Sequence, residues 1–165
     1  MNSAARPRIF TSFTRRPSTG QFAHELPGLL EDADSVWRPG RGGATVEATL
    51  SYVAVFVVAA KLLTKLGASD LAMVAADRAA TGAMCAESSA ARGLAGYQIA
   101  CAMLAASRPD DAEHLALGLA KELTAKARSD DPSIVSVAGA LWLIAGVIAA
   151  RKAERFESHD RLFQG

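Results

Sequence analysis

Residues Ser51 to Ala80 read SYVAVFVVAAKLLTKLGASDLAMVAADRAA, and the architecture of the chain follows from them. In the first half Phe56, Ala59, Ala60 and Leu63 recur at steps of three, one and three, which puts them on one stripe of a helix packed against a neighbour. In the second half Leu71, Ala72, Ala75, Ala76 and Ala79 do the same. Gly67 separates the halves and suits the left-handed conformation that ends a helix, while Ser69 or Asp70 is placed to cap the next by accepting its free backbone N–H groups. The spacing therefore predicts an antiparallel helical hairpin with an alanine-lined seam. Alanines let two backbones approach closely but bury little surface each, so one hairpin requires neighbours.

A copy lies forty residues on. Setting Gly67 on Ser107 places Ala59, Ala60 and Leu63 on Ile99, Ala100 and Met103, and Asp70, Ala72, Ala76 and Ala80 on Asp110, Ala112, Ala116 and Ala120. A helical hairpin recurring at this period predicts an all-α chain built as a short α-solenoid of about six helices. The aligned acids and the shared turn carry this argument, because alanine is abundant throughout.

Composition agrees. Half of the 165 residues are apolar but only 6% are aromatic, which favours helices over sheets and allows one modest core. The net charge of +1 is unevenly placed: without Arg6, Arg8, Arg15 and Arg16, 14 basic residues face 17 acidic ones. A mildly acidic body argues against a nucleic-acid surface. Cys85 and Cys101 lack a paired-ligand spacing and suit small core positions in a reducing, cytoplasmic compartment.

Residues 1–21 hold arginine, serine, threonine and proline with few large apolar groups, the composition of a disordered tail. No continuous apolar core of a secretory signal is present in them. The helical domain is expected over 22–155. It opens with a helix from Phe22 to Trp37, with Leu26, Leu29, Leu30, Ala33 and Trp37 on one face and Pro27 in its first turn. Arg38-Pro39-Gly40-Arg41-Gly42-Gly43 then breaks the chain. Hairpins follow over Thr45–Cys85 and Ser88–Ala127. A last helix runs from about Pro132 to Arg155, capped by Asp131, and leaves 156–165 as a short polar tail. Pro132 to Ala150 is free of charge and is followed by Arg151-Lys152, so a small membrane-associated protein anchored by this helix is the alternative.

No constellation of residues supplies an active site, so a non-enzymatic chain is expected, with no cofactor. Gly40-Arg41-Gly42-Gly43 follows no strand and lacks the Gly-Lys-Ser/Thr of a phosphate loop. Asp110, Asp111, Glu113 and His114 are close in sequence, but Glu113 needs only solvent and the helix dipole, and no second ligand cluster completes a metal site. His24 and His159 stand alone near the two ends. What remains is surface. In stacked hairpins the first helix of each pair lines the concave side. There Val57, Lys61, Thr64 and Lys65, then Tyr97, Cys101 and Leu104, then Trp142 and Gly146 form the candidate surface for an extended peptide or its carboxylate. The last helix has no partner, and its Leu141, Ile144 and Ile148 form the candidate face for self-association or for another helical protein.

Phe56, Ala59, Ala60, Leu63, Gly67, Ala72, Ala76 and Ala79 match in order the pattern of tetratricopeptide repeats, which the two hairpins resemble. His24-Glu25-Leu26-Pro27-Gly28-Leu29-Leu30-Glu31-Asp32-Ala33, Ala60-Lys61-Leu62-Leu63-Thr64-Lys65-Leu66-Gly67 with Asp70-Leu71-Ala72 and Ala75-Ala76-Asp77-Arg78-Ala79, and Ser136-Val137-Ala138-Gly139-Ala140-Leu141 resemble the C-terminal region of actinobacterial helix-turn-helix regulators of the XRE type. The resemblance covers roughly residues 24–151 and implies a cytoplasmic module that senses a ligand or protein partner. Such regulators carry a DNA-binding domain ahead of this region and further repeats after it. Residues 1–23 are too short for that domain, so a truncated form without sequence-specific DNA binding is expected.

Overall fold

The computed structural model describes residues 19–37, 45–127 and 132–163, and every regular element among them is an α-helix. The six are α1 (Thr19–Val36), α2 (Val46–Lys65), α3 (Ser69–Cys85), α4 (Ser89–Ala105), α5 (Pro109–Lys126) and α6 (Pro132–Phe163). Each packs on the next, α2 also packs on α4, and α4 on α6. The chain is thus all-helical, with the two hairpins where the sequence places them.

Three connections, α2 to α3, α3 to α4 and α4 to α5, are built alike. At each, one residue takes a left-handed conformation: Gly67 with φ 78°, Glu87 with φ 51° and Ser107 with φ 60°. Its N–H and the next one turn back onto the helix just ended. Gly67 donates to the Thr64 carbonyl at 3.2 Å and Ala68 to Leu63 at 2.9 Å; Glu87 and Ser88 donate to Met84 and Ala83, and Ser107 and Arg108 to Leu104 and Met103. This double closure satisfies carbonyls that the helix end would leave unpaired. It also leaves a single residue before the next helix, which corrects the expected cap of α3. The N-cap is Ala68, with no side-chain acceptor, and Ser69 is already helical. True side-chain caps occur at Thr45, whose hydroxyl accepts from the Ala48 N–H at 3.2 Å, and at Ser88, which accepts from Ala91 at 3.2 Å.

Alanine fills the seams. Ala59, Ala60, Ala72, Ala76, Ala79, Ala83, Ala95, Ala100, Ala112, Ala116 and Ala120 are fully buried. At Gly93 even a methyl group is too much, since a Cβ there would overlap Leu123 Cδ1 and stand 2.6 Å from Val137 Cγ1. Bulk is kept for the ends of the stack. On the α1 side Trp37 and Tyr52 lie 4.2 Å apart between ring centroids, and Tyr52 and Phe56 4.5 Å apart. Arg78 of α3 reaches over the Phe56 ring at 5.4 Å and pairs with Asp34 of α1 at 2.9 Å. On the α6 side Leu123, Leu141, Ile144 and Ile148 form the core.

Several sequence expectations change. α1 begins at Thr19, so Pro27 sits inside the helix rather than in its first turn and offers no N–H to the carbonyl four residues before it. α6 continues to Phe163 because no glycine or proline interrupts residues 151–163, and the expected polar tail is mostly helical. Leu141, Ile144 and Ile148 are not an open association face: they are buried, with exposures of 0%, 9% and 0%. The most apolar stripe of α6 has turned inward onto α4 and α5, which bury it. The tail over 1–18, the connector at Arg38–Gly43, the Asp131 cap and the His159 side chain lie outside what is described.

Two outcomes are expected. Ala60→Leu, placed where α2 meets its neighbours with no free space, should lower unfolding stability by about 1–3 kcal/mol in urea or thermal melts. Ser107→Gly, which relieves a left-handed serine, should raise it by about 0.5–1 kcal/mol. An unchanged Ala60→Leu melt would show that this seam is looser than described.

Candidate binding surfaces

Lys61 on α2 and Tyr97 and Cys101 on α4 come together, through the packing of the two helices. Burial pushes the Cys101 thiol above its ordinary pKa, against the hydrogen bond from Tyr97 and the positive charge of Lys61, both of which favour the thiolate. Burial also raises the Tyr97 hydroxyl, with the neighbouring Cys101 adding to it. Lys65 is exposed one turn beyond Lys61. Thr64 is half-buried, and its hydroxyl donates to the Ala60 carbonyl at 2.8 Å rather than projecting outward.

Val57 is buried and offers no binding surface. Trp142 is half-exposed, but its indole N–H donates to Thr124 Oγ1 at 3.1 Å, which turns the ring toward α5. Leu104 lines a cavity of about 100 Å³ with Ser107, Pro109, Ile148, Arg151 and Lys152. That volume lies below the roughly 300 Å³ at which ligand pockets begin. A smaller groove of about 20 Å³ between α1 and α2 is lined by residues including Leu29, Val36, Tyr52 and Val55.

One polar cluster was not foreseen. Lys152, near the middle of α6, donates to Asp110 and, at 2.7 Å, to Glu113, both in the first turns of α5. These two carboxylates, Asp110 first, hold the Lys152 pKa up at about 12. Glu113 therefore answers a lysine across the helix pair, not solvent. With α5 and α6 antiparallel, as the Lys152–Asp110 and Trp142–Thr124 bonds place them, the acids after Pro109 stand level with the bases after Ala150. At the opposite end of α5, Glu122 accepts from Lys126 at 2.7 Å and from Arg92 of α4 at 3.3 Å, and the Lys126 bond is the first cause of its lowered pKa. Among the described residues no three histidines, cysteines or carboxylates converge as metal ligands. Cys85 is exposed and Cys101 half-buried, and neither is in a disulfide.

Exposed large apolar side chains are spread over several helices, among them Val46, Leu50 and Val58 on α2, Leu71, Val74 and Met84 on α3, and four residues of α6. An 18-residue window within Pro132–Glu154 reaches a mean hydropathy of 2.2 with 28% of the window buried, against 1.8 and 44% for a window within Val46–Lys65 of α2. Both helices are long and apolar enough to cross a bilayer, a test that the core helix of a globular protein also passes. Val135, Trp142, Leu143 and Val147 are exposed, Leu143 at 71%. No family model, no curated protein and no solved structure matches the chain.

The Lys152 latch gives a measurable effect. A lysine whose folded pKa exceeds its unfolded value of about 10.4 stabilises fully below that value and loses the contribution as pH rises through about 12. Lys152→Gln should therefore lower the melting temperature at neutral pH and low salt. The gap to the parent should narrow in about 1 M salt, where exposed charges are screened. An equal gap at both salt concentrations would assign the loss to packing of the side chain's stem.

Proposed function

We propose that the chain is a non-enzymatic, tetratricopeptide-like interaction module related to transcriptional regulators, which takes an acidic peptide or protein segment in the cytoplasm. In this reading α2, α4 and α6 are the first helices of successive pairs in a short solenoid, and α3 and α5 stand behind them. The packing of α2 on α4 and of α4 on α6 supports that order. The observation that carries the binding site is the meeting of Lys61, Tyr97 and Cys101, with Lys65 exposed beside them. Lysines supply charge for a carboxylate, and the half-buried Tyr97 supplies a rigid apolar surface with a polar tip. Regulation would then run through a protein partner, with no sequence-specific reading of DNA.

Fluorescence anisotropy with labelled acidic and basic decapeptide pools tests this. The acidic pool should bind in roughly the micromolar range. Lys61→Glu with Lys65→Glu should weaken it by about tenfold or more while the thermal melt stays unchanged. Equal affinity for the two pools, or an unaffected double variant, would sink the reading.

A second reading, association with a bilayer through α6, is favoured by the hydropathy of 2.2 and the low burial of Pro132–Glu154. Flotation with phosphatidylcholine vesicles is its test, and a chain that stays at the bottom of the gradient removes it.

A further inference from the structure

Two polar side chains are buried among the described residues, Thr49 and Gln98, each at 4% exposure. The Thr49 hydroxyl donates to the Thr45 carbonyl at 3.1 Å, as a buried hydroxyl should. The Gln98 amide, with two donor hydrogens and an acceptor oxygen, has no hydrogen-bond partner among the described residues. No side-chain oxygen or nitrogen is both sealed from solvent and unpaired. The stem of Gln98 is therefore covered while its amide meets solvent through a gap between side chains.

Its place on α4 locates that gap. Ala91, Ala95 and Ala102 share the stripe of Gln98 on one side and are buried, Ala91 and Ala95 in the core formed with α2 and α3. On the other side stand Leu94, four residues before it and 38% exposed, and Cys101, three residues after it and half-buried. The amide emerges between these two, on the side of α4 where the charge of Lys61 from α2 reaches Cys101. α2 and α4 run parallel, since the chain reverses twice between them. One turn back from Lys61 and Cys101 are thus Val58, 41% exposed, and Gln98 itself.

From this buried, unpaired amide we infer that Gln98 binds a backbone amide of a peptide lying between α2 and α4. A primary amide sets a donor beside an acceptor, which matches the C=O and N–H of an extended chain. A phosphate or a free carboxylate presents acceptors alone and would turn negative charge toward the Gln98 oxygen. The covered stem holds the amide in place, so little rotamer freedom is lost when a ligand replaces the water on it. Spacing agrees with an acidic segment. One helical turn, about 5.4 Å, separates the level of Gln98 from that of Lys61. At about 3.3 Å per residue of extended chain, a carboxylate one or two residues from the bound amide comes level with Lys61. The assignment rests on the acidic-segment reading and adds selectivity to it: lysines alone would take any polyanion, whereas a site with a buried group that only an amide satisfies rejects ligands lacking one.

Gln98→Met, which keeps the volume and removes the amide, provides the test. The parent, Gln98→Met and the Lys61→Glu, Lys65→Glu double variant are titrated by fluorescence anisotropy with labelled decaglutamate and with labelled polyphosphate of matching length, a polyanion without amides. Gln98→Met should weaken decaglutamate by about tenfold and change polyphosphate by less than about twofold. Its melting temperature should equal or exceed the parent's, because no internal hydrogen bond is lost. The double variant should weaken both probes. Decaglutamate binding that needs the two lysines but not Gln98 would overturn this assignment and leave the acidic-segment reading standing. Binding that ignores the lysines, or a parent that takes no decaglutamate, would remove that reading and this one with it. A Gln98→Met melt below the parent's, or equal weakening of the two probes, would also overturn the assignment, by showing that the amide holds the fold instead of a ligand.

Discussion

Close packing of alanine against alanine sets the terms on which everything else in this structure is arranged. A buried methyl group brings little hydrophobic stabilisation, well under the 1.5–3 kcal/mol or so of a buried leucine or phenylalanine. It does allow helices to approach until their backbones nearly touch. Such helices hold only if each is covered from more than one side, and α3 and α4 are. Where a helix has fewer neighbours the side chains grow. Trp37, Tyr52 and Phe56 close the stack beside α1, and Leu141, Ile144 and Ile148 close it beside α6.

The connections add a second constraint. With left-handed residues at 67, 87 and 107, the chain reverses direction every twenty residues, and α3 and α4 are each held to 17 residues. Their register is therefore fixed by the turns as much as by the seams. The meeting of Lys61 with Tyr97 and Cys101 depends on this, since a slip of one residue in either helix would turn a side chain about 100° away. Glutamate and serine occupy two of the three positions at some cost in backbone strain.

What could be read in advance was whatever repeats locally. The stripe of Phe56, Ala59, Ala60 and Leu63 gave the helix, its face and its burial, and the alignment of Gly67 with Ser107 matched two turns of the same geometry. The third turn, at Glu87, carried no glycine or proline to mark it, yet its backbone is the same. Long-range pairings were not legible. Nothing local to Arg78 points to Asp34, or Lys152 to Glu113, until the helices are placed side by side. The orientation of α6 is hidden in the sequence for a related reason. Its sequence is apolar on nearly every face over Pro132 to Ala150, so periodicity names a stripe but not which side meets the body. The bond of Trp142 to Thr124 decides that, and it turns the tryptophan toward α5.

Among the described residues, each helix contacts only the next element and, for α2, α4 and α6, the next but one. No helix has to wait for a distant part of the chain before it can bury its stripe. Short separations between interacting segments carry small loop-closure penalties, and helical proteins of this kind reach their native state in microseconds to milliseconds. The same locality shapes how the structure comes apart. Opening proceeds from α1 or α6 inward, each step exposing one seam, so amide protons of α3 and α4 exchange last and those of α1 first.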